Sequence, residues 1–226
     1  MNIGIIGCGW LGKPLAKHLN KNHHVNCFQR SNTSNSFWEN ELFIICISTK
    51  DNYLQSLQDF LIKIPSSSKI IFTSSTSVYK EFDTQVTEDT AIYKMSLQKE
   101  AEELMQKSKN DLLILRLGGL MGKDRVSGKW KSVSAFADTP VNYIHIDDIL
   151  DIVSGLISQN IYQGIFNLVA PQHPLRSQVH HKNAKDFGFE IGSFTKSINQ
   201  RTVSSAKIIN TLKYSFIHPN PLKFWT

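Results

Sequence analysis

Between positions 7 and 12 the chain reads Gly-Cys-Gly-Trp-Leu-Gly. Three glycines at this spacing, after an apolar run and ahead of helical periodicity, make a turn whose backbone can face a diphosphate. Gly7 permits the tight turn, Gly9 lets backbone and pyrophosphate approach, and Gly12 lets the helix pack close to the strand. Cys8, Trp10 and Leu11 complete the same candidate dinucleotide-binding turn. About 20 residues further on, NAD-preferring sites place an acid against the ribose 2′-hydroxyl. This chain has Gln29, Arg30 and Ser31 there, with no carboxylate beside them. A guanidinium and a hydroxyl suit a 2′-phosphate, so the expected cofactor is NADP(H) in preference to NAD.

The elements that must position this turn follow from periodicity. Residues 2–7 (NIGIIG) read as a buried parallel strand, and the next segment puts Leu11, Leu15 and Leu19 on one helical face with Pro14 in the first turn. Further strands are expected in HVNCFQR, LFIICIST, KIIFTSST, DLLILRLGG and GIFNLVA. Helices are expected in YLQSLQDFLIKI, from about Ala91 to Lys107, and in DDILDIVSGLI. SNTSNSFWEN is a polar connector standing where a whole strand–helix unit would fit. The alternation defines an α/β chain with a doubly wound parallel sheet, a Rossmann fold. After Pro171 come a helix over 175–187 and a short one capped by Ser204 or Ser205. Residues 1–170 are therefore expected to form the dinucleotide-binding core, and 171–226 a small C-terminal substrate-side lobe on a single domain.

Composition narrows the function classes. The chain has 226 residues, 41% of them hydrophobic, enough for one compact α/β domain. No stretch is long and uncharged enough to span a membrane, and no signal peptide is evident. Cys8, Cys27 and Cys46 lie in separate apolar runs without ligand spacing, which predicts reduced, buried thiols, no metal and a cytoplasmic protein. The formal net charge is +6, but the lysines are dispersed. That argues against nucleic acid and for a solvated basic face attractive to phosphorylated small molecules. The pairs His23–His24 and His180–His181 read as surface histidines.

Several segments in order resemble the extended short-chain dehydrogenase/reductases, the NAD-dependent epimerase/dehydratase group. Besides the glycine motif they are IIFTSSTSVY (70–79), LRLGGLMGKDR (115–125), VNYIHIDDI (141–149) and the tail SSAKIINTLKYSFIHP. The GCGWLG start is similar to a shortened, atypical branch of that family. The resemblance implies that Ser75 is the catalytic serine, hydrogen-bonding a substrate carbonyl or hydroxyl, and that Ser74 faces the cofactor. It also implies that Arg125, Asn142 and His145 shape the substrate pocket or its supporting loop. Ser48 and Thr49 follow the third strand at the carboxyl edge, where such sheets bind ligands. A homodimer through the helix of the catalytic tyrosine is a further implication.

The family uses a tyrosine acid/base with a lysine four residues later, one helical turn on. Tyr93 in AIYKMSLQKE is the candidate, but the residue four later is Leu97, and Lys94 and Lys99 face elsewhere on a helix. Without a neighbouring ammonium a phenol near pKa 10 is a poor proton shuttle at neutral pH. Two functions follow. One is an NADP(H)-dependent oxidoreductase or epimerase acting on a small polar, sugar-linked substrate by hydride transfer near Ser75. The other is a catalytically silent NADP(H)-binding sensor or regulator.

Overall fold

The computed structural model describes residues 1–29, 34–50, 52–80, 85–92, 95–129 and 135–225. In chain order the first elements are β1 (Asn2–Ile6), α1 (Gly12–Leu19), β2 (His24–Cys27) and β3 (Leu42–Ile45). Next come α2 (Tyr53–Lys63), β4 (Lys69–Ser75), β5 (Gln85–Val86), α3 (Leu97–Gln106) and β6 (Leu112–Leu117). β7 (Gly119–Met121), β8 (Ala135–Asp138), β9 (Tyr143–His145), α4 (Ile146–Ser158) and β10 (Gly164–Leu168) follow. The chain closes with α5 (Arg176–Phe187), β11 (Ser193–Lys196), β12 (Thr202–Val203) and α6 (Ala206–Leu212).

Two compact units divide these elements. The first comprises residues 1–78, 92–116 and 152–166, the second 79–91, 117–151 and 167–226. The C-terminal segment expected to form a lobe is thus one of three contributors to the second unit.

The first unit carries a Rossmann-like parallel sheet in the order β10-β6-β4-β3-β1-β2. β1 pairs in parallel with β2 on one side and β3 on the other, Ile5 lying against both Cys27 and Ile44. The strand order reverses at that point, and ligands of such sheets bind outside the carboxyl ends of the strands there. β1, β3 and β4 are near-continuous apolar runs because helices cover both faces of a parallel sheet. Ile3, Ile5, Ile6, Leu42 and Ile44 are fully buried. Leu11, which precedes α1, is buried together with Leu15 and Leu19 of that helix, as their spacing requires.

β2 ends the sheet, and residues 35–39 form a 3-10 turn where another strand–helix unit would stand. This connector is less polar in effect than its composition indicates. Phe37 and Trp38 pack edge-on at 5.1 Å and contact Phe28 and Phe43. An aromatic cluster therefore closes this part of the core without extra chain.

The helix expected from about Ala91 begins later. Ser96 accepts a hydrogen bond from Lys99 N (3.2 Å) and is the N-cap of α3. A side-chain oxygen on the first free amides sets a helix start more firmly than propensity does.

The second unit is built from parallel strand pairs, β5 with β12, β7 with β9 and β8 with β11. Met121, Ala170 and Phe224 form a buried cluster with Tyr143 and Trp225 against it. Ser205 precedes α6, but its hydroxyl bonds to both the oxygen (2.6 Å) and the amide (3.0 Å) of Val169. The first-turn contact falls to Ser204, whose Oγ accepts from Ala206 N at 3.2 Å.

His180 corrects the surface assignment of its pair. His181 is exposed, whereas His180 is fully buried, 4.8 Å edge-on to Phe136. Burial, then the charges of Arg176 and His181, lower its pKa to about 4 against a smaller opposite pull from Asp138. The unfolded chain takes up that proton first, so this contribution is complete above about pH 6.5 and is lost as pH falls toward 4. Urea unfolding of the wild type is expected to weaken over that window by up to about 1.4 kcal/mol per pH unit more than that of His180→Gln. Parallel pH profiles for the two proteins would remove this role.

Candidate cofactor site and the residues around it

The turn after β1 has the geometry its glycines suggest, and each glycine is needed for a different reason. Gly7 has φ +104°, and a Cβ there would meet the Cys46 carbonyl at 2.6 Å. A Cβ on Gly12 would lie 2.2 Å from the Gly7 oxygen. Gly9 is the opposite case: it is exposed, and nothing lies within 4 Å of its Cβ position. Gly7 and Gly12 are thus fixed by protein packing, while Gly9 borders open space. α1 starts directly behind with no side-chain cap and no acidic residue in its first turn, so its positive end is left to a ligand.

The cysteines differ from expectation. Cys8 and Cys27 are disulfide-bonded, with 6.0 Å between their Cα atoms. The cause is the β1–β2 register, which places Cys27 beside Ile5, from which the Gly7 turn brings Cys8 within reach. Only Cys46 is a free thiol. Its Sγ faces the Gly7 oxygen at 3.3 Å, and burial pushes its pKa up to about 12, so it stays protonated and unreactive.

Gln29 is exposed beyond the end of β2. Arg30 and Ser31 lie outside the described residues, as do Tyr93 and Lys94. Ser48 and Thr49 are exposed just past β3, at the carboxyl edge that also carries the glycine turn. Ser75 ends β4 on that edge, half-buried, and its Oγ accepts from Ser77 N at 3.1 Å. This bond fixes the oxygen and leaves the hydroxyl proton to donate. Lys99 forms an ion pair with Glu103 at 3.4 Å one turn along α3. α3 itself begins at Leu97.

Ser74 requires a correction. It is buried, and its hydroxyl donates to Glu102 Oε1 at 2.5 Å instead of facing a cofactor. Glu102 also takes Arg116 in a fork, Nε at 3.0 and 3.2 Å and Nη2 at 2.7 Å, with both side chains about 3% exposed. This buried pair joins α3 to β6. The charge also acts on Tyr53, whose pKa rises first through burial and then through Glu102. Sequence reasoning missed the pair. An arginine in the middle of DLLILRL was the available signal, since a buried guanidinium needs a carboxylate.

The pocket residues expected from segments 115–125 and 141–149 all lie in the second unit. Arg125 is exposed, and its backbone closes a turn with Gly122 through bonds of 3.0 and 3.2 Å. Asn142 uses both ends of its amide on one strand: Nδ2 donates to Arg201 O (3.1 Å), and Oδ1 accepts from Val203 N (2.8 Å). It braces the segment that carries β12. His145 is buried, and its pKa is lowered to about 4 by burial and then by the charge of His218. A neutral imidazole of that kind is no general acid near pH 7. Tyr79, the tyrosine that ends the SSTSVY stretch, is buried and donates to Asn167 Oδ1 at 2.8 Å.

A doubly wound parallel sheet with a glycine turn at its switch point defines a Rossmann-type nucleotide-binding fold. More narrowly, the fold is that of the NAD-dependent epimerase/dehydratase type of extended short-chain dehydrogenase/reductase. No protein-family model matches the chain. Protein YeeZ of Escherichia coli (strain K12) is 26% identical to it, over 97% of each chain. UDP-glucuronic acid 4-epimerase from Bacillus cereus, solved with UDP-glucuronic acid and NAD, superposes with a TM-score of 0.79 at 17% identity, covering 99% of this chain and 96% of that one. Human epimerase family protein SDR39U1, solved with NADPH, gives 0.73 at 13% identity, covering 98% and 96%. Among the described residues no helix is long and apolar enough to cross a membrane.

Proposed function

We propose that the chain is an extended short-chain dehydrogenase/reductase that binds NADP(H) at the Gly7–Gly12 turn and acts on a small polar, sugar-linked substrate. The observation that carries this reading is the open space at Gly9 in a turn otherwise closed by protein contacts. The nicotinamide supplies hydride chemistry, and the protein binds and orients the cofactor. The Gly9 backbone and the start of α1 hold the diphosphate, while Ser48 and Thr49 lie along the same strand edge. Ser75 donates its remaining hydroxyl proton to a substrate oxygen. Gln29, Arg30 and Ser31 favour a 2′-phosphate over a bare 2′-hydroxyl. The sugar-linked substrate draws support from the relative crystallised with UDP-glucuronic acid.

Equilibrium titrations with NADPH and NADH are expected to give at least about tenfold tighter NADPH binding, the scale of one charge-assisted contact. Equal or tighter NADH binding would overturn the NADP(H) assignment.

A second reading, a catalytically silent NADP(H)-binding regulator, is favoured by the engagement of Lys99 with Glu103 and of Tyr79 with Asn167.

A further inference from the structure

His145, Asp147 and His218 bring two imidazoles and a carboxylate together from the end of β9, the start of α4 and the C-terminal segment. Asp147 Oδ2 lies 3.3 Å from His145 Nδ1 and 3.2 Å from His218 Nε2, and all three candidate ligand atoms fall within 4.8 Å of one another. We infer that these three side chains form a binding site for a single divalent transition-metal ion of the zinc type. Zinc bonded at about 2.0–2.1 Å to nitrogen and oxygen gives tetrahedral ligand–ligand edges of about 3.4 Å. Both of these edges match that spacing, and they lie at or just beyond the long end of the roughly 2.7–3.2 Å range of N–H···O hydrogen bonds. One carboxylate oxygen is therefore flanked by two ring nitrogens at ligand separation. The two rings sit 3.9 Å apart between centroids, so both imidazoles crowd around the same carboxylate.

The surroundings are built for fixed ligands. Asp148, fully buried, accepts hydrogen bonds from Tyr214 Oη (2.9 Å), Ile217 N (2.7 Å) and His218 N (3.2 Å). It pins the backbone that carries His218, leaving the imidazole to face Asp147. Partners that orient metal ligands in this way are a regular part of such sites. Phe224 lies edge-on to both rings, at 5.4 and 6.1 Å, and gives the site an apolar flank. His145 Nδ1 already faces the Asp147 amide at 3.3 Å, a long contact that a metal would replace. Half of the Asp147 side chain is exposed, which leaves the fourth coordination position to water. Motif spacing could not show the site, since its ligands come from positions 145, 147 and 218.

The test is titration of the untagged, chelator-treated full-length chain with Co²⁺, followed by visible absorption, and with Zn²⁺, followed by calorimetry. The expected result is one ion per chain with the intense visible bands of tetrahedral Co²⁺. Asp147→Asn and His218→Gln are each expected to lower affinity by roughly 100-fold, the upper scale for disturbing such a site. Binding of the same strength in both variants, or no ion bound tighter than about 0.1 mM in the wild type, overturns the inference. His218 is partly exposed, and an unchanged thermal transition of His218→Gln without metal separates lost ligation from lost folding.

Discussion

Gly9→Ala is expected to fold with an unchanged thermal transition and to bind NADPH at least about tenfold more weakly, because its methyl enters open space that a pyrophosphate needs. Gly12→Ala is expected to behave in the opposite way. Its methyl would stand 2.2 Å from the Gly7 oxygen, an overlap relieved only by moving α1 off the strand. Overpacking of this kind costs about 1–3 kcal/mol or more, a fall in Tm of roughly 5–10 °C for a chain of this length. Neighbouring glycines in one motif thus separate into a ligand position and a packing position. Thermal unfolding and NADPH titration on the two variants distinguish the roles. Equal loss of stability in both would mean that Gly9 is structural and would withdraw the observation on which the cofactor reading rests.

Arg116→Ala is the substitution with the largest expected effect on stability. Arg116 and Glu102 are buried to the same degree, and the fork engages both carboxylate oxygens with the guanidinium Nε and Nη2. Removing one partner strands the other charge out of water, at a cost of about 3–5 kcal/mol. The double variant Glu102→Leu with Arg116→Met removes both charges and is expected to recover most of that loss, since apolar residues of similar volume often replace buried pairs without penalty. Ser74→Ala, which deletes only the hydroxyl donor to Glu102, is expected to cost about 1–2 kcal/mol. Urea unfolding provides the measurement. A loss under about 1 kcal/mol in Arg116→Ala would show that the pair does not hold α3 to the sheet.

The core of the fold was legible from periodicity. β1, β3, β4 and β6 announce themselves as apolar runs because a strand covered on both faces has no need of polar residues. The glycine turn was equally legible, since its spacing and its place between strand and helix encode the geometry directly. What escaped depends on contacts across the sequence. Cys8 and Cys27 carry no local sign that the register of β1 and β2 makes them neighbours. The carboxylate partner of Arg116 sits 14 residues away on α3. Ser74 was placed by family likeness facing a cofactor, yet its hydroxyl serves Glu102, and nothing local shows that Asn142 braces β12. The start of α3 was misjudged because Ser96 capping outweighs the helical character of the residues before it.

The interleaving of the two units has a consequence for how the chain comes to be folded. Residues 152–166 complete the first unit, and the second needs segments that begin at 79, 117 and 167. During synthesis the glycine turn and β1 precede the other elements of both units, but neither unit has all of its parts until at least residue 166 has left the ribosome. Folding is therefore dominated by closures between distant segments, which slows it relative to a chain of successive local units. The nascent protein waits for most of its length with strand edges unpaired. The glycine turn, made before the strands that flank β1, is among the last features to acquire a finished scaffold.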